Sequence, residues 1–123
     1  MTRILVVDDE ASIRELFRAV LEGEGHQVEV AADGKQAMDI MTAEPAEVMI
    51  TDIVMPEKEG IETIKELREL YGDLIKIVAV SGGGRVAGDH YLVLANRLGA
   101  DLTLEKPVTA GQLVAAVNKV LEP

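Results

Sequence analysis

Short apolar runs alternate along the chain with stretches whose apolar residues recur at helical spacing. Ile4 to Val7 is a continuous apolar run that ends in acids, the mark of a strand buried on both faces. Ile13, Leu16, Phe17, Val20 and Leu21 then share one helical face, with Arg14, Glu15 and Arg18 on the other. Gly23 and Gly25 end that helix. Val28 to Ala31 reads as a second strand. Asp33 to Gln36 fits a capping box ahead of a helix with Ala37, Ile40 and Met41 on one face. Val48 to Ile50 is a third strand, again running into an acid, Asp52. Pro56 and Gly60 punctuate the next loop, and Ile61, Ile64, Leu67 and Leu70 mark a third helix. Ile75 to Val80 is a fourth strand that ends at Ser81. A loop with Gly82, Gly83, Gly84 and Gly88 leads into a fourth helix on Tyr91, Leu94, Ala95 and Leu98, closed by Gly99. Leu102 to Leu104 is a short fifth strand ending near Lys106 and Pro107. Thr109 and Gln112 fit another capping box, and Leu113, Val114, Val117, Val120 and Leu121 carry the last helix.

Strands alternating with helices in this way predict an open, mostly parallel sheet with helices on both faces. In such sheets the ligand site lies beyond the carboxyl ends of the strands. The residues at those ends are Asp8 and Asp9, Asp52, Ser81 and Lys106. The topology alone therefore brings three acids, a hydroxyl and a lysine to one edge.

Composition narrows the picture. A chain of 123 residues suits one domain. With 48% apolar residues it can bury roughly two-thirds of its unfolded surface without a disulfide or structural metal. The absence of cysteine excludes disulfides, thiol redox chemistry and thiolate metal sites. Nothing near Met1 reads as a signal peptide, and no apolar run approaches the roughly 20 residues of a membrane helix. A soluble, cytoplasmic domain without membrane insertion is expected. The formal charge of −10 repels nucleic-acid phosphates, and only Phe17, Tyr71 and Tyr91 could stack on bases, so no direct nucleic-acid binding is expected.

The clustered acids imply a cation. Two unit charges about 4 Å apart cost roughly 4 kcal/mol at an effective dielectric of about 20. Oxygen ligands completed by water favour magnesium over zinc. The same crowding predicts that Asp→Asn changes at the site raise thermal stability. A carboxylate beside such a metal, with a lysine opposite, is equipped to attack phosphorus, and Ser81 could donate to a phosphoryl oxygen.

The acid pair Asp8-Asp9 follows the first strand. The segment Asp52-Ile53-Val54-Met55-Pro56, with Gly60, follows the third, Ser81 the fourth and Lys106-Pro107 the fifth. Each element alone is weak; all four, in order on the right strands, resemble the receiver domain of bacterial two-component response regulators. The resemblance covers essentially the whole chain, 1–123. It implies a flavodoxin-like, doubly wound, five-stranded parallel sheet of order 2-1-3-4-5 with five helices, an order taken from the family's chemotaxis member.

The resemblance also implies residue roles. Asp52 would accept a phosphoryl group from a sensor histidine kinase or a histidine phosphotransfer protein. Asp9, Asp52 and the backbone carbonyl of Val54 would bind Mg2+ directly, and Asp8 through water. Lys106, Ser81 and the amide of Gly82 would bind the phosphoryl group, and the Lys106-Pro107 bond would be cis. The domain would catalyse only its own phosphorylation and dephosphorylation, and would signal to a downstream protein that the sequence does not identify. Read apart from the resemblance, Gly60 and Gly99 are structural, and one of Asp8 and Asp9 also caps the first helix. Val54 and Gly83 cannot orient a water molecule by hydrogen bonding, which predicts a long-lived acyl phosphate.

Three features depart from the family pattern. Thr103 stands where most relatives carry Tyr or Phe, so output is expected to run through the loop Gly82 to Asp89 and the helix after it. The stretch from Ser81 to Lys106 is longer than usual. No output domain follows, which suggests a stand-alone receiver. Rival classes fit less well. A magnesium-dependent phosphohydrolase would show an acid two residues after the nucleophile, where Val54 stands. A flavin binder would need a phosphate-cradling loop where Asp8 and Asp9 lie.

Overall fold

The computed structural model describes residues 2–53, 60–81, 96–97 and 99–122. Five strands form one parallel sheet: β1 (Arg3–Val7), β2 (Gln27–Ala31), β3 (Val48–Asp52), β4 (Lys76–Ser81) and β5 (Leu102–Glu105). Their order is β2-β1-β3-β4-β5, as the resemblance implied. The helices among the described residues are α1 (Ala11–Gly23), α2 (Gly34–Ala43), α3 (Gly60–Tyr71) and α4 (Ala110–Leu121). A 3-10 turn, Gly72–Leu74, follows α3. Of the helix predicted on Tyr91 to Leu98, only Asn96 and Arg97 are described, and both are helical. The glycine-rich loop, Val54, Gly82 and Gly83 lie outside the described residues.

Alternating side chains of the central strands feed two cores. Leu5, Val7, Met49 and Ile77 pack on one face with Ala37, Met41, Ile64 and Leu67 of α2 and α3. Ile4, Val6, Val48, Ile50 and Val78 pack on the other with Phe17, Leu21, Leu113 and Val117 of α1 and α4. A strand covered on both faces has no polar side to show, which is why these segments read as unbroken apolar runs.

Local chemistry sets the helix ends. Thr109 and Gln112 form a full capping box. The Asp33–Gln36 box is half formed: Asp33 accepts from the Gln36 N–H, but Gln36 Oε1 accepts from Ala32 rather than from the cap residue. The expectation that an aspartate caps α1 is corrected. Its N-cap is Glu10, with no side-chain cap, and Asp8 Oδ1 instead accepts the Glu10 N–H at 2.9 Å. Asp8 therefore braces the turn one step before the helix.

At the amino edge of the sheet Arg68 ties the turns together. Its guanidinium donates to the carbonyls of Gly99, Gly72 and Ile75 and to Asp101 Oδ2. Asp101 Oδ2 also accepts the Ile77 N–H at 2.7 Å, while the Asp101 N–H donates to the Ile77 carbonyl. These bonds lock β5 against β4 five residues before Lys106, and so fix where Lys106 emerges. Gly99 has φ +116°, and a Cβ there would press on Arg68, so glycine is required.

Candidate functional site

Register delivers the predicted residues to one place. Val7 pairs with Thr51, Asp52 with Val80, and Ser81 with Glu105. The ladder continues past the strands: Asp8 N–H donates to Ala31 O, Ile53 N–H to Val80 O, and Lys106 N–H to Ser81 O. Asp8, Asp52, Ser81 and Lys106 thus leave the carboxyl edge of adjacent strands. The Lys106-Pro107 bond that follows is cis, as the resemblance implied.

Lys106 is the electrostatic centre. Its Nζ lies 2.8 Å from Asp8 Oδ2 and 3.2 Å from Asp52 Oδ2. The Asp8 and Asp52 side chains are nearly buried, at 3% and 8% exposure, and Lys106 is 16% exposed. Burial alone would push the ammonium down, but the hydrogen bond to Asp8 and the charges of Asp52 and Asp8 outweigh it. Lys106 is held above the ordinary lysine range and is cationic throughout neutral pH.

The acids are not all held alike. Asp8 is bonded on both carboxylate oxygens. The Asp9 side chain is exposed, with no hydrogen bond or ion pair among the described residues. Carboxylate oxygens of Asp8, Asp9 and Glu10 nevertheless lie within 4.8 Å of one another. Glu10, which sequence reasoning left out of the site, joins this group, while Asp52 is linked to Asp8 through Lys106. The donors are all oxygens on a turn with a free carboxylate, which suits a hard cation such as magnesium.

Ser81 Oγ is buried and has no hydrogen-bond partner among the described residues. Such an orphan costs about 1–3 kcal/mol and calls for an explanation, which an acceptor oxygen delivered to this edge would supply. Behind the site, the amino end of α3 presses on the end of β3. A Cβ on Gly60 would overlap the Asp52 carbonyl oxygen and come within 2.6 Å of the Ile53 Cα. Gly60 is structural, as expected, and the close approach it permits supports Asp52 directly.

A second residue missed from the sequence is Arg14. The amphipathic pattern put it on the outer face of α1. It is half-buried instead, and its Nη1 donates to the Asp8 carbonyl at 2.7 Å. Side chains on a helix lean toward its amino end, so Arg14, one turn into α1, can reach the strand end. That direction was the available signal.

Comparison with known proteins agrees with this arrangement. The family model for the response regulator receiver domain matches residues 4–118. The transcriptional regulatory protein CpxR of Escherichia coli (strain K12) is 36% identical over 121 residues, covering 98% of this chain and 50% of CpxR. The response regulator MprA of Mycolicibacterium vanbaalenii is 35% identical, covering 97% of this chain and 50% of MprA. The chain thus spans about half the length of these curated relatives. Among solved structures, the receiver domain of NtrX from Brucella abortus superposes with a TM-score of 0.88 at 31% identity, covering 96% of this chain and 97% of that one. A CheY-like receiver domain protein from Methanospirillum hungatei gives 0.88 at 28% identity, covering 97% and 92%. The ordered acids, hydroxyl and lysine at one sheet edge and the match over nearly the whole chain lead to one conclusion: this chain belongs to the response regulator receiver domain family.

Proposed function

We propose that Asp52 is the phosphoryl acceptor of this receiver, with a phosphohistidine on a sensor kinase or phosphotransfer protein as donor. The observation that carries the reading is the ammonium of Lys106 shared between Asp52 and Asp8 at the carboxyl edge. In the transfer an Asp52 carboxylate oxygen forms the new O–P bond as the N–P bond to histidine breaks, and the nitrogen keeps the electron pair. Lys106 balances charge on the phosphoryl oxygens, and the Ser81 hydroxyl, which has no partner among the described residues, gains an acceptor.

Magnesium fits the donor set. Asp9 and Asp52, with the carbonyl of Val54, would hold it, and Asp8 would act through water. When bound, the ion supplies positive charge to the transferring group. No separate substrate is turned over, and the output is a protein contact altered by the new charge, which at neutral pH approaches −2. No helix among the described residues is long and apolar enough to cross a membrane.

The test is incubation with phosphoramidate and magnesium, followed by hydroxylamine. The reading predicts a magnesium-dependent gain of one phosphoryl group that hydroxylamine removes, as it does for an acyl phosphate. No gain, or a product stable to hydroxylamine, contradicts it.

A further inference from the structure

All the polar atoms of Asp8 are engaged. Its N–H donates to Ala31 O, its Oδ1 accepts from Glu10 N–H, its Oδ2 accepts from Lys106, and its carbonyl accepts from Arg14. The carbonyl belongs to the peptide unit from which Asp9 hangs. The Arg14 bond therefore fixes the plane that aims Asp9. Nothing else among the described residues holds the Asp9 carboxylate, although it stands within 4.8 Å of two other carboxylates that repel it.

Arg14 is poorly placed for the helix's own sake. It sits near the amino end of α1, where a cation opposes the helix dipole. Its position makes sense as a brace on the strand end. We propose that Arg14 is a positioning residue for cation binding, holding the Asp8–Asp9 peptide so that Asp9 faces the incoming ion. The proposal rests on the assignment of Asp9 as a magnesium ligand.

Two effects of Arg14 oppose each other, which gives the proposal a sign. Its charge, close to the acids, works against a cation. Its hydrogen bond, by fixing Asp9, works for it. If only the charge mattered, Arg14→Ala would bind magnesium more tightly. If positioning dominates, Arg14→Ala binds more weakly, by about tenfold, the factor that one hydrogen bond to a charged group commands.

The experiment is calorimetric titration of the full chain with magnesium chloride for wild type, Arg14→Ala, Arg14→Met and Arg14→Lys. Each variant is also melted in EDTA. Arg14→Ala and Arg14→Met should bind weakly, while Arg14→Lys, which can donate to the same carbonyl, regains part of the affinity. Arg14→Met keeps the apolar stem and guards against loss of packing. Affinity unchanged or raised in a folded Ala or Met variant overturns the positioning role alone. A weak Arg14→Lys as poor as Ala overturns it too. Wild type that binds no magnesium overturns both this proposal and the metal assignment beneath it.

Discussion

Lys106 Nζ lies closer to Asp8 than to Asp52, 2.8 Å against 3.2 Å. The shared ammonium therefore favours Asp8 over Asp52. The three aspartates of the site should respond differently to neutralisation.

Asp8→Asn should destabilise the metal-free protein. It removes the shorter ion-pair bond from a side chain 3% exposed, and should cost about 2–4 kcal/mol. Asp52→Asn gives up the longer of the two Lys106 bonds while relieving repulsion, and should fall between Asp8→Asn and wild type. Asp9→Asn removes an exposed carboxylate without a partner among the described residues, and should raise the melting temperature. Denaturation in EDTA checks the order. A rise in all three, the outcome that charge crowding alone predicts, would show that the Lys106 pairings contribute little.

Lys106→Ala should have two opposite effects. It leaves Asp8 and Asp52 nearly buried without their shared cation, which costs about 3 kcal/mol in metal-free protein. It also removes a positive charge from the carboxylates that meet magnesium, so magnesium affinity should increase. Titration calorimetry and denaturation together check both signs; weaker magnesium binding would mean that Lys106 organises the acids more than it competes for them.

Gly60→Ala should destabilise by about 1–3 kcal/mol, the usual cost of overpacking. The added methyl strikes the Asp52 carbonyl oxygen and Ile53 Cα, backbone atoms with no freedom to yield. Phosphorylation by a small donor should slow as well, because relief requires α3 or the end of β3 to move. Unchanged stability and rate would show that α3 can retreat freely.

Arg68→Ala should cost about 2–4 kcal/mol by stripping donors from three carbonyls and from Asp101. Arg68→Lys should recover less than half, since an ammonium cannot reproduce the guanidinium fork. Both should leave magnesium affinity nearly unchanged when folded, because Arg68 lies at the opposite edge of the sheet. A large loss of affinity in either would reveal coupling across the sheet.

Much of this was legible in the sequence for a physical reason. A strand buried on both faces is almost wholly apolar, so the polar residue that follows the run marks its carboxyl end; Asp8 and Ser81 were found that way, and Asp52 one step beyond the buried Thr51. What a linear pattern lacks is direction and distance. A helical wheel puts Arg14 outside because it counts angle and ignores the lean of the side chain toward Asp8. Glu10 looked like one more solvated acid until the turn brought it beside Asp8 and Asp9. The preference of Lys106 for Asp8 spans 98 positions in sequence and follows only from the register of β5, which Arg68 and Asp101 help to fix.

The most direct test of the central claim is intact mass of wild type and Asp52→Asn, side by side, after a small phosphodonor and magnesium. Asp52 as the acceptor predicts one added phosphoryl group in wild type and none in Asp52→Asn. Equal labelling of the two proteins would contradict it, and would move the chemistry away from the central strand.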